Sequence, residues 1–187
     1  MKVVAGLGNP GAQYDATRHN VGWWAVDRLC HDWGFEPFDR EKTCFSTIGM
    51  VSGHEVRIIK PSVYMNRSGA ALAPYRDSDE LDVARDVMVV VDDATLDVGR
   101  VRVRGSGGPG GHNGLKSVEG ALGTREYTRL RIGVGRPPEG ADLSDWVLSP
   151  MPQEDEEIVV GLLPELARGV EVWMDEGVEA AMNRLNR

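Results

Sequence analysis

A histidine, an aspartate and a scatter of asparagines are the residues best placed to do chemistry in this chain. His19 stands in DATRHNVGWW, just before a segment of helical periodicity. Alone it reads as a surface or capping histidine. Asp92 follows the continuous β-branched run around Val87 to Val91, which reads as a central strand. The carboxyl ends of such strands are where open α/β sheets place their sites. Asp93 lies beside it, and His112-Asn113 closes a glycine-rich loop. A histidine, an acid and several amides gathered at strand ends make a general-base site. There is no GxSxG elbow, and neither Cys30 nor Cys44 belongs to a CxxC pair, so a serine or thiol nucleophile has little support. A histidine that activates water is the simpler chemistry. Its substrate would be an ester, because an alkoxide leaves more easily than an amine and needs only a few amide donors for stabilisation. His19, Asp92 and His112 could instead ligate zinc, but the chain has no HExxH and no close His/Cys pair. The expectation is a site without metal or cofactor.

Two glycine motifs bear on this chemistry. GLGNPG, residues 6–11, satisfies GxGxxG after a strand. Its context is wrong for a dinucleotide, since Pro10-Gly11 suits a tight turn and no acid-terminated strand appears about 20 residues later. Its glycines are expected to make a bend that presents Asn9. The second motif, GSGGPGGHNG, has six glycines in ten residues. It is either a flexible loop or a loop whose N–H groups approach a phosphate closely, together with the helix N-terminus that follows. Lys116 does not directly follow a glycine, so it is not a Walker loop. Just before it, RVRVR puts Arg100, Arg102 and Arg104 about 7 Å apart on one strand face. Such a face either guards a sheet edge or binds phosphates, and the adjacent glycine loop favours phosphates.

The elements that must position these residues follow from periodicity and punctuation. Val3 to Leu7 reads as a buried strand, and Asn20 as the cap of a helix from about Val21 to Trp33 that Gly34 ends. Phe45 to Val51 and Glu55 to Lys60 read as a hairpin turning at Ser52-Gly53-His54. A helix is expected from Asn66 to Tyr75, another from Leu115 to Leu122 closed by Gly123, and a strand from Arg129 to Val134. From about residue 153 the chain is helical, with Pro164 expected to interrupt it and start a second helix. Strands alternating with helices imply an α/β fold: a single domain over residues 1–187 with a twisted mixed β-sheet flanked by helices.

The 187 residues suit one domain, and no apolar run is long enough to span a membrane. Two cysteines and no secretory leader point to the reducing cytoplasm. The net charge of −8 argues against a nucleic-acid partner when taken alone. Most of the acid, however, lies in residues 77–97 and 154–179, while residues 100–136 are rich in arginine. That basic strip is the one place for a polyanion.

The chain resembles bacterial peptidyl-tRNA hydrolases in four segments: GLGNPGAQYDATRHNVG, KPSVYMNRSG, VVVDDATLDVGRVRVRGSGGPGGHNGLKS and YTRLRIGVGRP. The C-terminal VEAAMNRLN is also similar. The resemblance implies a single, usually monomeric, metal-free α/β domain that cuts the ester between a peptide and the tRNA 3′ ribose. It implies His19 as the base, Asp92 as the acid that orients it, and Asn9 as the residue that positions carbonyl and water. Asn66 and Asn113 match side chains that hold the peptide and the tRNA 3′ end, and Tyr14 and Met65 match residues lining the groove. His112 falls among the substrate-binding positions. Arg102, Arg104 and Arg131 match basic positions near the acceptor-stem phosphates, with arginine where lysine is common at two of them. The chain departs from the family at DATLD, after the catalytic acid, and at Pro164. Some relatives act in RNA splicing without serving as hydrolases, but here every catalytic position is intact.

Overall fold

In the computed structural model, which describes residues 1–186, the strands form one mixed seven-stranded sheet. They are β1 (Lys2–Gly6), β2 (Asp39–Arg40), β3 (Cys44–Val51), β4 (His54–Pro61), β5 (Val87–Asp93), β6 (Val101–Ser106) and β7 (Glu126–Gly133). Their order is β2-β3-β4-β1-β5-β7-β6. β1 runs parallel to β4 and β5, and β5 parallel to β7, while the outer pairs are antiparallel. Every residue of β5 is buried, as a central strand covered on both faces requires.

Period-two alternation divides the core in two. Val4, Met88, Val90, Leu130 and Ile132 face one side. There they meet α1 (Val21–Trp33), α5 (Gln153–Glu176) and α6 (Val178–Leu185). Val3, Ala5, Val87, Val89 and Val91 face the other, against α3 (Asn113–Leu122) and the turns around Leu72 and Tyr75. The remaining helices, α2 (Val83–Asp86) and α4 (Leu143–Val147), are short. The hairpin turns where expected, with Ser52 and Gly53 both at positive φ (49° and 81°), the pattern of a type I′ turn.

Three expectations need correction. Residues 66–75 form two 3₁₀ segments, Met65–Ala71 and Ala73–Tyr75, rather than one α-helix. Gly69 lies so close to α3 that an added Cβ would stand 2.2 Å from the Ser117 carbonyl oxygen, and Pro74 punctuates the rest. Asn20 makes no capping bond with its side chain, which serves the loop of Asn9 instead. Pro164 does not divide the C-terminal region, because α5 runs unbroken across it. Burial of Val159, Leu163, Leu166, Ala167, Val170 and Trp173 outweighs the roughly 3 kcal/mol cost of an interior proline. The break falls at Gly177, whose φ of 92° lets α6 turn back along β6. There Asn186 closes the open sheet edge: its Oδ1 accepts from the Val103 N–H (2.6 Å) and its Nδ2 donates to the Val103 carbonyl (3.0 Å).

What positions the site is the close seat of α1 on the strand ends. A Cβ on Gly22 would stand 2.5 Å from both the Leu7 and Val90 carbonyl oxygens, and one on Gly6 would stand 2.2 Å from the Gly22 carbonyl. The first glycine of GLGNPG therefore serves helix–strand contact, and only Gly11, at φ 116°, needs a backbone that other residues avoid. Gly22→Ala should push α1 off the sheet. A loss of about 1–3 kcal/mol is expected in urea unfolding, and activity should fall with it because His19 directly precedes the helix.

Candidate active site

The carboxylate of Asp92, at the carboxyl end of β5, is buried beneath two imidazoles that share one of its oxygens. Nδ1 of His19 lies 2.7 Å from Asp92 Oδ1, and Nε2 of His112 lies 2.8 Å from the same atom. The chain arrives at these partners from opposite faces: His19 precedes α1 and His112 precedes α3. His112 caps α3, its Nδ1 accepting from the N–H groups of Gly114 (3.1 Å) and Leu115 (3.3 Å). Those two donors require an unprotonated Nδ1, so the proton of His112 sits on Nε2 and is donated to Asp92. His19 likewise donates Nδ1–H, and its Nε2 is left to face the cavity. Burial alone would raise the Asp92 carboxyl. Attraction to His112 and His19, with their hydrogen bonds, outweighs it and holds the group well below the usual carboxylate range. The sequence-based placement of His112 among substrate-binding residues is thus refined: it lines the cavity, but both ring nitrogens are engaged within the chain.

The site opens into a cavity of about 1140 Å³. Asn9 is held there by a reciprocal pair of bonds with Asn20, its N–H donating to Asn20 Oδ1 (2.9 Å) and its carbonyl accepting from Asn20 Nδ2 (3.0 Å). Its own Oδ1 accepts from the Met65 N–H at 2.7 Å. That bond fixes the amide's orientation and leaves Nδ2 as the donor for a bound group. Met65 is buried in the wall, while Asn66 and Asn113 are exposed and line the cavity. Tyr14 is also in the wall, edge-on to Tyr64 at 6.5 Å between ring centroids. Sequence reasoning missed Tyr64, which is 58% exposed and has no periodic pattern to announce it.

The arginines separate into different duties. Arg131 reaches the cavity wall, with Nη1 3.4 Å from Asp93 and Nη2 donating to the Gly108 carbonyl at 3.2 Å. Arg102 and Arg104 are exposed on β6, in register with Arg131 and Arg129 of β7. Arg129 was not anticipated. It is 1% exposed and donates to the carbonyls of Gly107, Gly108 and Arg125, tying the glycine loop to the sheet. Asp93 also folds the DATLD loop, accepting from the Thr95 N–H (2.8 Å) and hydroxyl (2.6 Å).

Arg18, beside the candidate base, was also missed. It is 3% exposed, donates to the Ser149 hydroxyl and the Pro150 carbonyl, and stacks on Trp146 with its guanidinium carbon 3.5 Å from the ring centroid. Burial lowers the pKa of this guanidinium, with Asp155 opposing. The contact anchors α4, whose Leu143, Ser144 and Val147 line the cavity. The signal available in sequence was a cation next to the histidine, but its partner lies 128 residues away at Trp146.

Other chemistries fit less well. Burial pushes the thiols of Cys30 and Cys44 up to about 12 and about 11, so neither is a ready nucleophile. His19, Asp92 and His112 bring ligand atoms within 4.8 Å of one another. Tetrahedral zinc would hold neighbouring ligand atoms about 3.3 Å apart, whereas both imidazoles approach the carboxylate at 2.7–2.8 Å, a hydrogen-bond spacing.

An α/β sheet carrying an imidazole–carboxylate pair at a strand end, open to a cavity lined with amides, belongs to the class of hydrolases. The family described as Peptidyl-tRNA hydrolase matches residues 3–187. A peptidyl-tRNA hydrolase of Gemmatimonas aurantiaca is 44% identical over 190 residues, covering 100% of both chains. One from Chloroflexus aggregans is 41% identical, covering 100% of this chain and 99% of its own. The crystal structure of peptidyl-tRNA hydrolase from Acinetobacter baumannii superposes with a TM-score of 0.92 at 32% identity, covering 100% of this chain and 94% of that one. The chain belongs to the peptidyl-tRNA hydrolase family. Among the described residues, no helix is long and apolar enough to cross a membrane.

Two expectations follow from the site. Because folding depresses the Asp92 carboxyl, its stabilising effect is present above the unfolded value of about 4 and is lost as pH falls through and below it. Asp92→Asn should therefore flatten the acid limb of a stability–pH curve, read by thermal denaturation from pH 2 to pH 7. An acid limb unchanged from wild type would count against the buried charge. Arg18→Ala should cost about 1–3 kcal/mol and change Trp146 fluorescence, with Arg18→Lys only partly restoring both because lysine lacks the planar stacking group.

Proposed function

We propose that the chain hydrolyses the ester between a peptidyl group and the 3′ ribose of tRNA, with His19 as the general base. The observation that carries this reading is the orientation of His19. Its Nδ1 is held by a buried carboxylate, and Nε2 is left toward a cavity beside the asparagine amides. Water bonded to Nε2 gives up a proton as its oxygen attacks the ester carbonyl, and the imidazolium is stabilised by Asp92. The Asn9 Nδ2 group can donate to the developing oxyanion. On collapse, the carbonyl–ribose bond breaks and the imidazolium returns its proton to the departing ribose oxygen. Free peptide and tRNA result, with no metal in any step. His112 acts as a positioning residue that fixes the carboxylate. Asn66 and Asn113 pair with the peptide amide next to the ester. The acceptor-stem phosphates meet Arg102, Arg104 and Arg131, with Tyr14 and Met65 shaping the groove.

His19→Ala should lower kcat by about 10²–10⁴ with tRNA affinity within a few fold. Asp92→Asn should fall between His19→Ala and a surface change, since it disturbs orientation rather than removing the base. Single-turnover release of peptide from purified peptidyl-tRNA measures both, and wild-type rates in the His19 variant would remove the mechanism. Selectivity is the second test. N-acetyl-aminoacyl-tRNA presents an amide to Asn66 and Asn113, while the free aminoacyl ester presents an ammonium close to an imidazole that must become cationic. The ratio of kcat/KM should favour the blocked substrate strongly, within a ceiling of about 10⁴–10⁵. A ratio near one would refute the amide recognition. Asn66→Ala or Asn113→Ala should narrow it, mainly by slowing the blocked substrate.

A further inference from the structure

Leu143 and Leu148 line the cavity and are 50% and 38% exposed, large apolar side chains left in water at its wall. Leu143 begins α4 and Leu148 directly follows it. Apolar surface of this kind inside a cavity suits an apolar part of a ligand.

This segment is tied to the candidate base by a join between two distant stretches of chain. The Met151 N–H donates to the Ala16 carbonyl (3.0 Å), the Arg18 N–H donates to the Ser149 carbonyl (3.2 Å), and Thr17 and Pro150 form an antiparallel bridge. His19 follows the join on one stretch and Leu148 precedes it on the other, and both line the cavity. The side chain of Arg18 completes the join. Its guanidinium stacks on Trp146 and donates to Ser149 and Pro150. The Trp146 Nε1–H in turn donates to the Gly135 carbonyl at 2.9 Å. One indole therefore links α4 both to the segment of the base and to the chain just after β7. The guanidinium is buried, and its Nε has no hydrogen-bond partner. Its plane can stack and donate at once, which a lysine ammonium cannot do.

The chemistry of the ester says which group meets this wall. The side chain of the esterified amino acid branches from the carbon bonded to the carbonyl that water attacks. It therefore lies close to His19, where Leu148 also reaches the cavity. We propose that Arg18 is a positioning residue, which acts through Trp146 to hold α4 and Leu148 as an apolar seat for the side chain of the amino acid esterified to the ribose. The proposal rests on the substrate reading given above, and it adds a preference for apolar side chains at the ester.

The test uses binding, so that it stands apart from hydrolysis. Two adenosine mimics carry an amide in place of the 3′ ester, one with N-acetylphenylalanine and one with N-acetylglycine. Each is titrated into the whole protein by calorimetry. Wild type should bind the phenylalanyl mimic about tenfold more tightly or better, the order of discrimination an apolar pocket gives. Arg18→Ala should weaken the phenylalanyl mimic about tenfold and the glycyl mimic less than about twofold. Trp146→Ala should do the same, and combining the two should add nothing further, because both act through one contact. A variant that is merely less stable weakens both mimics alike and leaves their ratio unchanged. Thermal denaturation shows which variants are folded. Arg18→Lys and Trp146→Phe should each lose part of the preference, and they carry the test if an alanine variant does not fold. Equal affinities of the two mimics for wild type would overturn the proposal, as would a wild-type preference in the folded Arg18 and Trp146 variants. Either result, with peptidyl-tRNA still cleaved, would leave the catalytic reading intact. A wild type that shows the expected preference but releases no peptide would refute the catalytic reading and leave the seat standing.

Discussion

One oxygen atom, Oδ1 of Asp92, joins the two halves of this molecule. It accepts from His19 ahead of α1 and from His112 ahead of α3, and these helices cover opposite faces of the sheet. A carboxylate buried at a strand end would be strongly unfavourable without such donors, because burial penalises its charge. The two imidazoles make it tolerable, and in return it fixes their orientation. His112 is further constrained by two backbone donors of α3, so its proton has one available place. Among the described residues the ring of His19 makes its one hydrogen bond to Asp92, and that asymmetry separates the proposed base from a strut.

The rest of the site is a set of devices that keep this cluster in register. Asn20 and Asn9 clasp each other through backbone and side chain, so the loop after β1 cannot drift from the residue that follows His19. Arg18 does the same on the other side by holding Ser149, Pro150 and Trp146. The positions on either side of His19 are thus both buried polar anchors, and the imidazole is held by its neighbours as much as by Asp92. Buried polar groups of this kind are costly unless satisfied, which makes the arrangement unforgiving of small shifts.

Charge is handled by segregation. The chain has a net charge of −8, yet arginines gather on β6, β7 and the loop after β7, and Arg131 and Arg136 of this group line the cavity. Not all of them are available to a ligand. Arg129 is consumed by the glycine loop it supports, and Arg131 divides its donors between Asp93 and Gly108. The strip read from RVRVR is therefore partly structural and partly exposed.

Much of this was legible in the sequence because it is encoded locally. Continuous apolar runs placed β1 and β5, turn residues placed the hairpin, glycine marked the end of α1, and the motifs around Asn9, His19, Asp92 and Asn113 pointed to a general-base site. What escaped was decided by contacts between distant segments. RHN could not show that Asn20 would abandon its cap for Asn9, nor that Arg18 would find Trp146. Pro164 read as an interruption because a lost hydrogen bond is a local fact, whereas the buried face of α5 that overrides it is a tertiary one. The same holds for His112. Its position at the end of the glycine loop could be read directly, but its role depends on which atoms meet its two nitrogens, and those come from a strand twenty residues earlier and from the helix it begins. Local propensity and pattern set the elements and most of the candidate residues. The partner of each polar side chain was settled only when packing brought separate elements together, because satisfying a buried donor or acceptor is a condition on the whole fold.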